Sequence, residues 1–129
     1  MQQNREPKRS TTPVLVVDDD PAVRHALMFS LQVEGFVVRT YANGRDLLDD
    51  PAPPPECCLV IDQFMPGISG LDVVAALRRR CVSWPAILIT TQPSAMLLRR
   101  ATEAGVQVVE KPFFNDMLFR CIRDALAEH

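Results

Sequence analysis

Apolar positions along the chain fall into five short runs, separated by longer stretches in which they recur every three or four residues. The runs are Val14-Leu15-Val16-Val17, Phe36-Val37-Val38, Cys58-Leu59-Val60-Ile61, Ala86-Ile87-Leu88-Ile89 and a fifth from Val106 to Val109. Most are continuous rather than alternating, the pattern of strands covered on both faces. Between them Val23, Leu27 and Leu31 recur at i, i+4 and i+8. Val73, Val74 and Leu77 form a second stripe, Leu97, Leu98, Ala101 and Ala104 a third, and Leu118, Cys121, Ile122 and Ala125 a fourth. Each set predicts a helix with one buried face. A further short helix is predicted from Asn43 to Asp49.

The punctuation agrees with these elements. Asp20 precedes Pro21, a favoured N-cap followed by a favoured first helical residue. Gly105 stands where a helix C-terminus needs a left-handed residue. Pro51-Ala52-Pro53-Pro54-Pro55 cannot continue a helix and its prolines cannot donate backbone hydrogen bonds, so a stiff surface loop is expected before the third strand. Five strands alternating with five helices imply parallel βαβ units with right-handed crossovers.

Composition narrows the class. At 129 residues and 47% apolar, the chain has length for one domain with a core. The net charge of −2 gives no basic footprint for direct nucleic-acid binding. No run of about 18 apolar residues could span a membrane. Residues 1–12 are polar and slightly basic, are not a secretory signal, and are expected to form a flexible tail. The four cysteines, at 57, 58, 81 and 121, show no metal spacing and read as small hydrophobes. Cys57 and Cys58 are adjacent in an extended segment and should face opposite ways.

In open α/β sheets ligands bind beyond the carboxyl ends of the strands. The first run ends in Asp18-Asp19-Asp20, the third in Asp62, the fourth in Thr90 and the fifth in Glu110-Lys111-Pro112. Clustered carboxylates repel and take up protons unless a cation joins them. Mg²⁺ is the natural partner, being hard and oxygen-liganded. A lysine adds a second positive charge, and a hydroxyl can bond a phosphoryl oxygen. The set suits a phosphoryl group attached to one carboxylate, with charge neutralised during transfer.

Taken in this order and spacing, the residues resemble the bacterial two-component response regulator receiver domain. The resemblance covers about Pro13 to Leu126. It rests on Val14-Leu15-Val16-Val17-Asp18-Asp19-Asp20-Pro21, on Leu59-Val60-Ile61-Asp62 with Met65-Pro66 and Gly70, on Ile87-Leu88-Ile89-Thr90, and on Glu110-Lys111-Pro112-Phe113. The last is similar to receivers of the nitrogen-fixation-regulator type. The resemblance implies a flavodoxin-like (βα)5 three-layer sandwich with a parallel sheet in the order 2-1-3-4-5. It implies a receiver domain over residues 13–127 with no output domain in this chain, and a cytoplasmic setting.

It further implies that Asp62 accepts a phosphoryl group from a sensor histidine kinase or phosphotransfer protein. Mg²⁺ would be held by Asp18, Asp19, Asp62 and the backbone carbonyl of Phe64. Thr90 and Lys111 would bind the phosphoryl group, and the Lys111–Pro112 bond would be cis. The protein would then be no enzyme beyond self-catalysed transfer to its own aspartate and autodephosphorylation. A downstream effector or output domain would read the face built from the fourth helix, fifth strand and fifth helix, where Met96, Arg99 and Arg100 are candidates. Neither nucleic acid nor a membrane is expected as a direct partner, and homodimerisation is left open.

Three features depart from the family. Val108 occupies the position of the usual switch aromatic, three residues before the lysine. The stretch from Gly105 to Lys111 is about one residue short. Thr91 stands where Ala or Gly is common. Two other readings stay open: a degenerate receiver acting as a phosphorylation-independent interaction module, and a small haloacid-dehalogenase-like phosphatase using Asp18 with Asp20 in a D-x-D pair.

Overall fold

The computed structural model describes residues 12–111 and 115–127. The expected N-terminal tail, apart from Thr12, and the cis proline at Pro112 lie outside the described residues. The elements run β1 (Val14–Val17), α1 (Pro21–Val33), β2 (Val38–Tyr41), α2 (Gly44–Leu48), β3 (Cys58–Asp62), α3 (Gly70–Arg79), β4 (Ala86–Thr91), α4 (Ala95–Glu103), β5 (Gln107–Lys111) and α5 (Asn115–Ala127). All neighbouring strands are parallel, and the sheet order is β2-β1-β3-β4-β5.

Strand alternation builds two cores. Leu15, Val17, Leu59, Ile61 and Leu88 point to one face and pack with Leu47 and Leu48 of α2, Leu71, Val74 and Leu77 of α3, and Leu97 and Ala101 of α4. Val14, Val16, Cys58, Val60, Ile87, Ile89 and Val109 point to the other, against Leu27 and Leu31 of α1 and Leu118, Phe119 and Ile122 of α5. Covering both faces explains why the central strands read as continuous apolar runs. Cys57 and Cys58 divide between the two cores, as adjacent extended residues must.

Local signals set the helix starts. The Asp20 carboxylate accepts from the amides of Ala22 at 2.9 Å and Val23 at 3.5 Å, with Pro21 in the first helical position. Asn43, Ser69 and Ser94 cap α2, α3 and α4 in the same way. Gly105, just past α4, has a φ of 71°, the left-handed conformation its place in the sequence predicts.

Three expectations need correction. The second strand does not begin at Phe36 but covers Val38–Tyr41, an edge strand with no fully buried residue. Phe36 is buried instead in the turn before it, on the α1/α5 side. On α4, Leu97 and Ala101 are buried, but Leu98 is 42% exposed and Ala104 is also exposed. The proline segment does form a loop, yet Pro54 is buried within it, and Pro55 offers its carbonyl to the Trp84 indole at 3.3 Å.

Candidate functional site

Register brings the strand ends together. Val17 lies beside Ile61, so Asp18 emerges next to Asp62. Asp62 lies level with Ile89, and Thr90 and Thr91 stand opposite Glu110 and Lys111. Alternation then sorts the side chains. Asp18, Asp62 and Lys111 share the parity of Val16, Val60 and Val109, on the α1/α5 side. Thr90 shares the parity of Leu88, on the side covered by α2, α3 and α4.

Carboxylate oxygens of Asp18, Asp19 and Asp62 all lie within 4.8 Å of one another. The Lys111 ammonium sits 3.6 Å from Asp62 Oδ2 and 3.8 Å from Asp18 Oδ2. Asp18, Asp62 and Thr90 are buried, at 1%, 7% and 0% exposure, whereas Asp19 is exposed. The first acid is held from two directions. Its Oδ1 accepts from the Asp20 amide at 2.9 Å, and its carbonyl accepts from the Arg24 guanidinium at 2.8 Å. The Phe64 amide donates to Asp62 Oδ1 at 3.4 Å. The Thr90 hydroxyl donates to the Thr91 carbonyl at 3.3 Å.

Burial raises the Asp18 carboxyl above its ordinary value, opposed first by the hydrogen bond from the Asp20 amide and reinforced by the charge of Asp62. Burial also raises Asp62, with Lys111 as the main opposing influence. One lysine thus faces two buried carboxylates, leaving a deficit of positive charge. The second oxygen of Asp18 is buried with no hydrogen-bond partner. An orphaned anionic oxygen among three carboxylates is the donor set a hard divalent cation fits.

Two residues of the site escaped sequence reasoning. Gln63 is only 6% exposed. Its amide donates to the Ile89 carbonyl at 2.9 Å, its carbonyl accepts from the Gly70 amide at 3.1 Å, and its side-chain oxygen accepts from the Leu71 amide at 2.9 Å. A glutamine after a strand-end acid reads as loop, and only its burial distinguishes it. Gly70 belonged to the quoted motif without a physical reason. A Cβ there would lie 2.6 Å from the Asp62 carbonyl oxygen and 2.7 Å from Leu88 Cδ1, so no larger residue fits beneath the acid.

The other residues named from the sequence differ in exposure. Phe64 is 62% exposed beside Asp62. Val108 is half-buried and packs against the core on the α2–α4 side. Met96, Arg99 and Arg100 are exposed on α4. Asp20 caps α1 through its Oδ1.

The parallel 2-1-3-4-5 sheet thus carries three acids, a buried threonine and a lysine at its carboxyl edge. Comparison with known proteins identifies the family. Residues 14–123 match the response regulator receiver domain, and the chain belongs to that family. It is 35% identical over 115 residues to the transcriptional regulatory protein FixJ of Azorhizobium caulinodans, covering 88% of this chain and 54% of that protein. The chain thus spans about half the length of that curated relative. Among solved structures, FixJ-N superposes with a TM-score of 0.83 at 31% identity, covering 92% of this chain and 94% of that one. The response regulator TrrA of Thermotoga maritima, in complex with Mg²⁺ and beryllium fluoride, superposes with a TM-score of 0.77 at 31% identity over 89% of this chain and 99% of that one.

Proposed function

We propose that Asp62 is the phosphoacceptor and that Asp18, Asp19, Asp62 and the Phe64 carbonyl hold Mg²⁺ beside it. The observation that carries this reading is the Lys111 ammonium placed between two buried carboxylates, one of which keeps an unpartnered oxygen. A relative at 31% identity, TrrA, was solved in complex with Mg²⁺ and beryllium fluoride, which supports a place for the metal in this reading.

The donor is a phosphohistidine of a sensor kinase or phosphotransfer protein. An Asp62 oxygen bonds to phosphorus as the bond from phosphorus to the imidazole nitrogen breaks, and the imidazole leaves with that electron pair. Bound Mg²⁺ supplies charge neutralisation to the phosphoryl oxygens. Lys111 supplies a second positive charge from 3.6 Å. Thr90 turns its hydroxyl from the Thr91 carbonyl towards the added phosphoryl group. The phosphoryl group stays on the chain's own side chain until water attacks phosphorus and the Asp62 carboxylate leaves with the electron pair of the broken bond, releasing inorganic phosphate, so the protein is a signalling switch that resets itself.

Phosphorylation adds about −1.5 to −2 charges in a buried setting. The response spreads through Thr90 to the face formed by α4, β5 and α5, where an effector or output domain binds. A cytoplasmic setting, where the kinase's catalytic part resides, completes the reading.

Mass-spectrometric mapping after incubation with acetyl phosphate and Mg²⁺ tests it. The label is expected on Asp62 and absent from Asp62→Asn. A label on Asp18 would favour the phosphatase instead, and no Mg²⁺-dependent label at all would favour a pure interaction module.

A further inference from the structure

The loop between Asp62 and α3 is closed at its base by one side chain. A helix start leaves several amides without intrahelical partners. In α3 the Gly70 amide bonds the Gln63 carbonyl at 3.1 Å, and the Leu71 amide bonds the Gln63 side-chain oxygen at 2.9 Å. The Asp72 amide bonds the Ser69 hydroxyl at 3.3 Å. Gln63 therefore satisfies two of these amides, and its own amide is fixed to Ile89 of β4 at 2.9 Å. The segment from Phe64 to Ser69 is tied off as a ring between Gln63 and the first turn of α3. Gly70 lets the ring close directly under the Asp62 carbonyl.

Burial alone does not call for an amide side chain at this position, where Gln63 is 6% exposed. What an aliphatic residue cannot do is accept from Leu71. Without that bond the Leu71 amide is left unsatisfied in a buried place, and the ring loses one of its two ties to α3.

We propose that Gln63 is a positioning residue for the phosphoryl-transfer site: it holds the Phe64–Ser69 ring so that the Phe64 carbonyl and the Asp62 carboxylate meet the same Mg²⁺. This inference rests on the phosphoacceptor reading above. The Phe64 carbonyl is the one protein ligand in that set whose position depends on loop backbone rather than on a side chain rotamer. Its placement is set by the ring's closure.

The test compares the full chain with Gln63→Leu, Gln63→Asn and Gln63→Glu. Leucine removes the acceptor. Asparagine keeps the amide but is one methylene too short to reach Leu71. Glutamate keeps the reach and the acceptor oxygen, next to a helix N-terminus that favours negative charge. In the Leu and Asn variants the Mg²⁺ dissociation constant is expected to rise about tenfold, the scale on which supporting residues tune metal sites. The Glu variant should restore it to within about twofold of the unsubstituted value. In metal-free protein, hydrogen exchange at the Leu71 amide should accelerate in the Leu and Asn variants and recover in the Glu variant.

A capping role alone would lower the urea midpoint while leaving Mg²⁺ affinity unchanged, and that result overturns the proposal. Leu71 exchange that ignores all three substitutions overturns it as well. If the unsubstituted chain binds no Mg²⁺, the phosphoacceptor reading falls and takes this inference with it. If it binds Mg²⁺ and the Leu and Asn variants bind equally well, only the Gln63 assignment falls.

Discussion

Asp18 is a buried acid with only one of its two carboxylate oxygens hydrogen-bonded. One oxygen accepts from the Asp20 amide at 2.9 Å, while the other is buried with Lys111, 3.8 Å away, as its nearest positive charge. Because burial raises Asp18 and Asp62 above the ordinary value of 3.8, the folded chain binds their protons more tightly than the unfolded chain does. Their stabilising contribution is full below the unfolded value and is lost as pH rises through the folded values. Metal-free Asp18→Asn should therefore be more stable than the parent at neutral pH, read as a higher urea midpoint. Mg²⁺ should raise the parent's denaturation midpoint far more than the variant's. Mg²⁺ also competes with those protons, so its affinity should weaken as pH falls through the same window; titrations at stepped pH showing the opposite trend would contradict the site. Asp19→Ala should abolish most Mg²⁺ binding with little loss of stability, since Asp19 is exposed. The strand-end acids, Thr90 and Lys111 were all legible because their chemistry breaks an apolar run. Gln63 was not, because a neutral polar side chain carries no such contrast and its role exists only through a partner eight residues on.

Elements were legible in proportion to how completely they are buried. β1, β3 and β4 are covered on both faces, and their runs marked them to within a residue or two. β2 pairs only with β1, at the sheet edge. Its sequence Val38-Arg39-Thr40-Tyr41 is half polar and none of it is fully buried, so the apolar run that begins at Phe36 gave the stronger signal. The Leu98 and Ala104 positions fit a helical stripe by spacing, but α4 lies at the sheet margin and buries a narrower face. The α1 start offers a clean test of a cap separate from the chemistry. Asp20→Ala should cost about 1 kcal/mol of stability while Asp62 still takes up phosphoryl from acetyl phosphate. The α3 start behaves differently, since Gly70→Ala drives a Cβ to 2.6 Å from the Asp62 carbonyl. It should destabilise the fold by about 1–3 kcal/mol and slow phosphorylation as well, measured by denaturation and by label uptake on the same sample.

Across the whole molecule the sheet separates two apolar layers, and the site lies where both end. Asp18, Asp62 and Lys111 extend one layer and Thr90 extends the other, so a phosphoryl group at this rim bears on both sides at once. Reversing a two-state population from 1:99 to 99:1 takes about 5.5 kcal/mol of differential stabilisation. Adding beryllofluoride with Mg²⁺ should shift nuclear magnetic resonance signals among residues 93–111 and 115–125; silence throughout that stretch would remove the switch. The same layering has a practical consequence for the thiols. Cys57, Cys58 and Cys121 are enclosed, and only Cys81 is exposed. Burial pushes the Cys58 thiol up to about 12 and raises Cys57 and Cys121 too, leaving them poor nucleophiles as well as hidden ones. An alkylating reagent should therefore add a single group to the native chain and reach the other three sulfurs only when the layers part, so that the mass of the adduct counts global openings molecule by molecule.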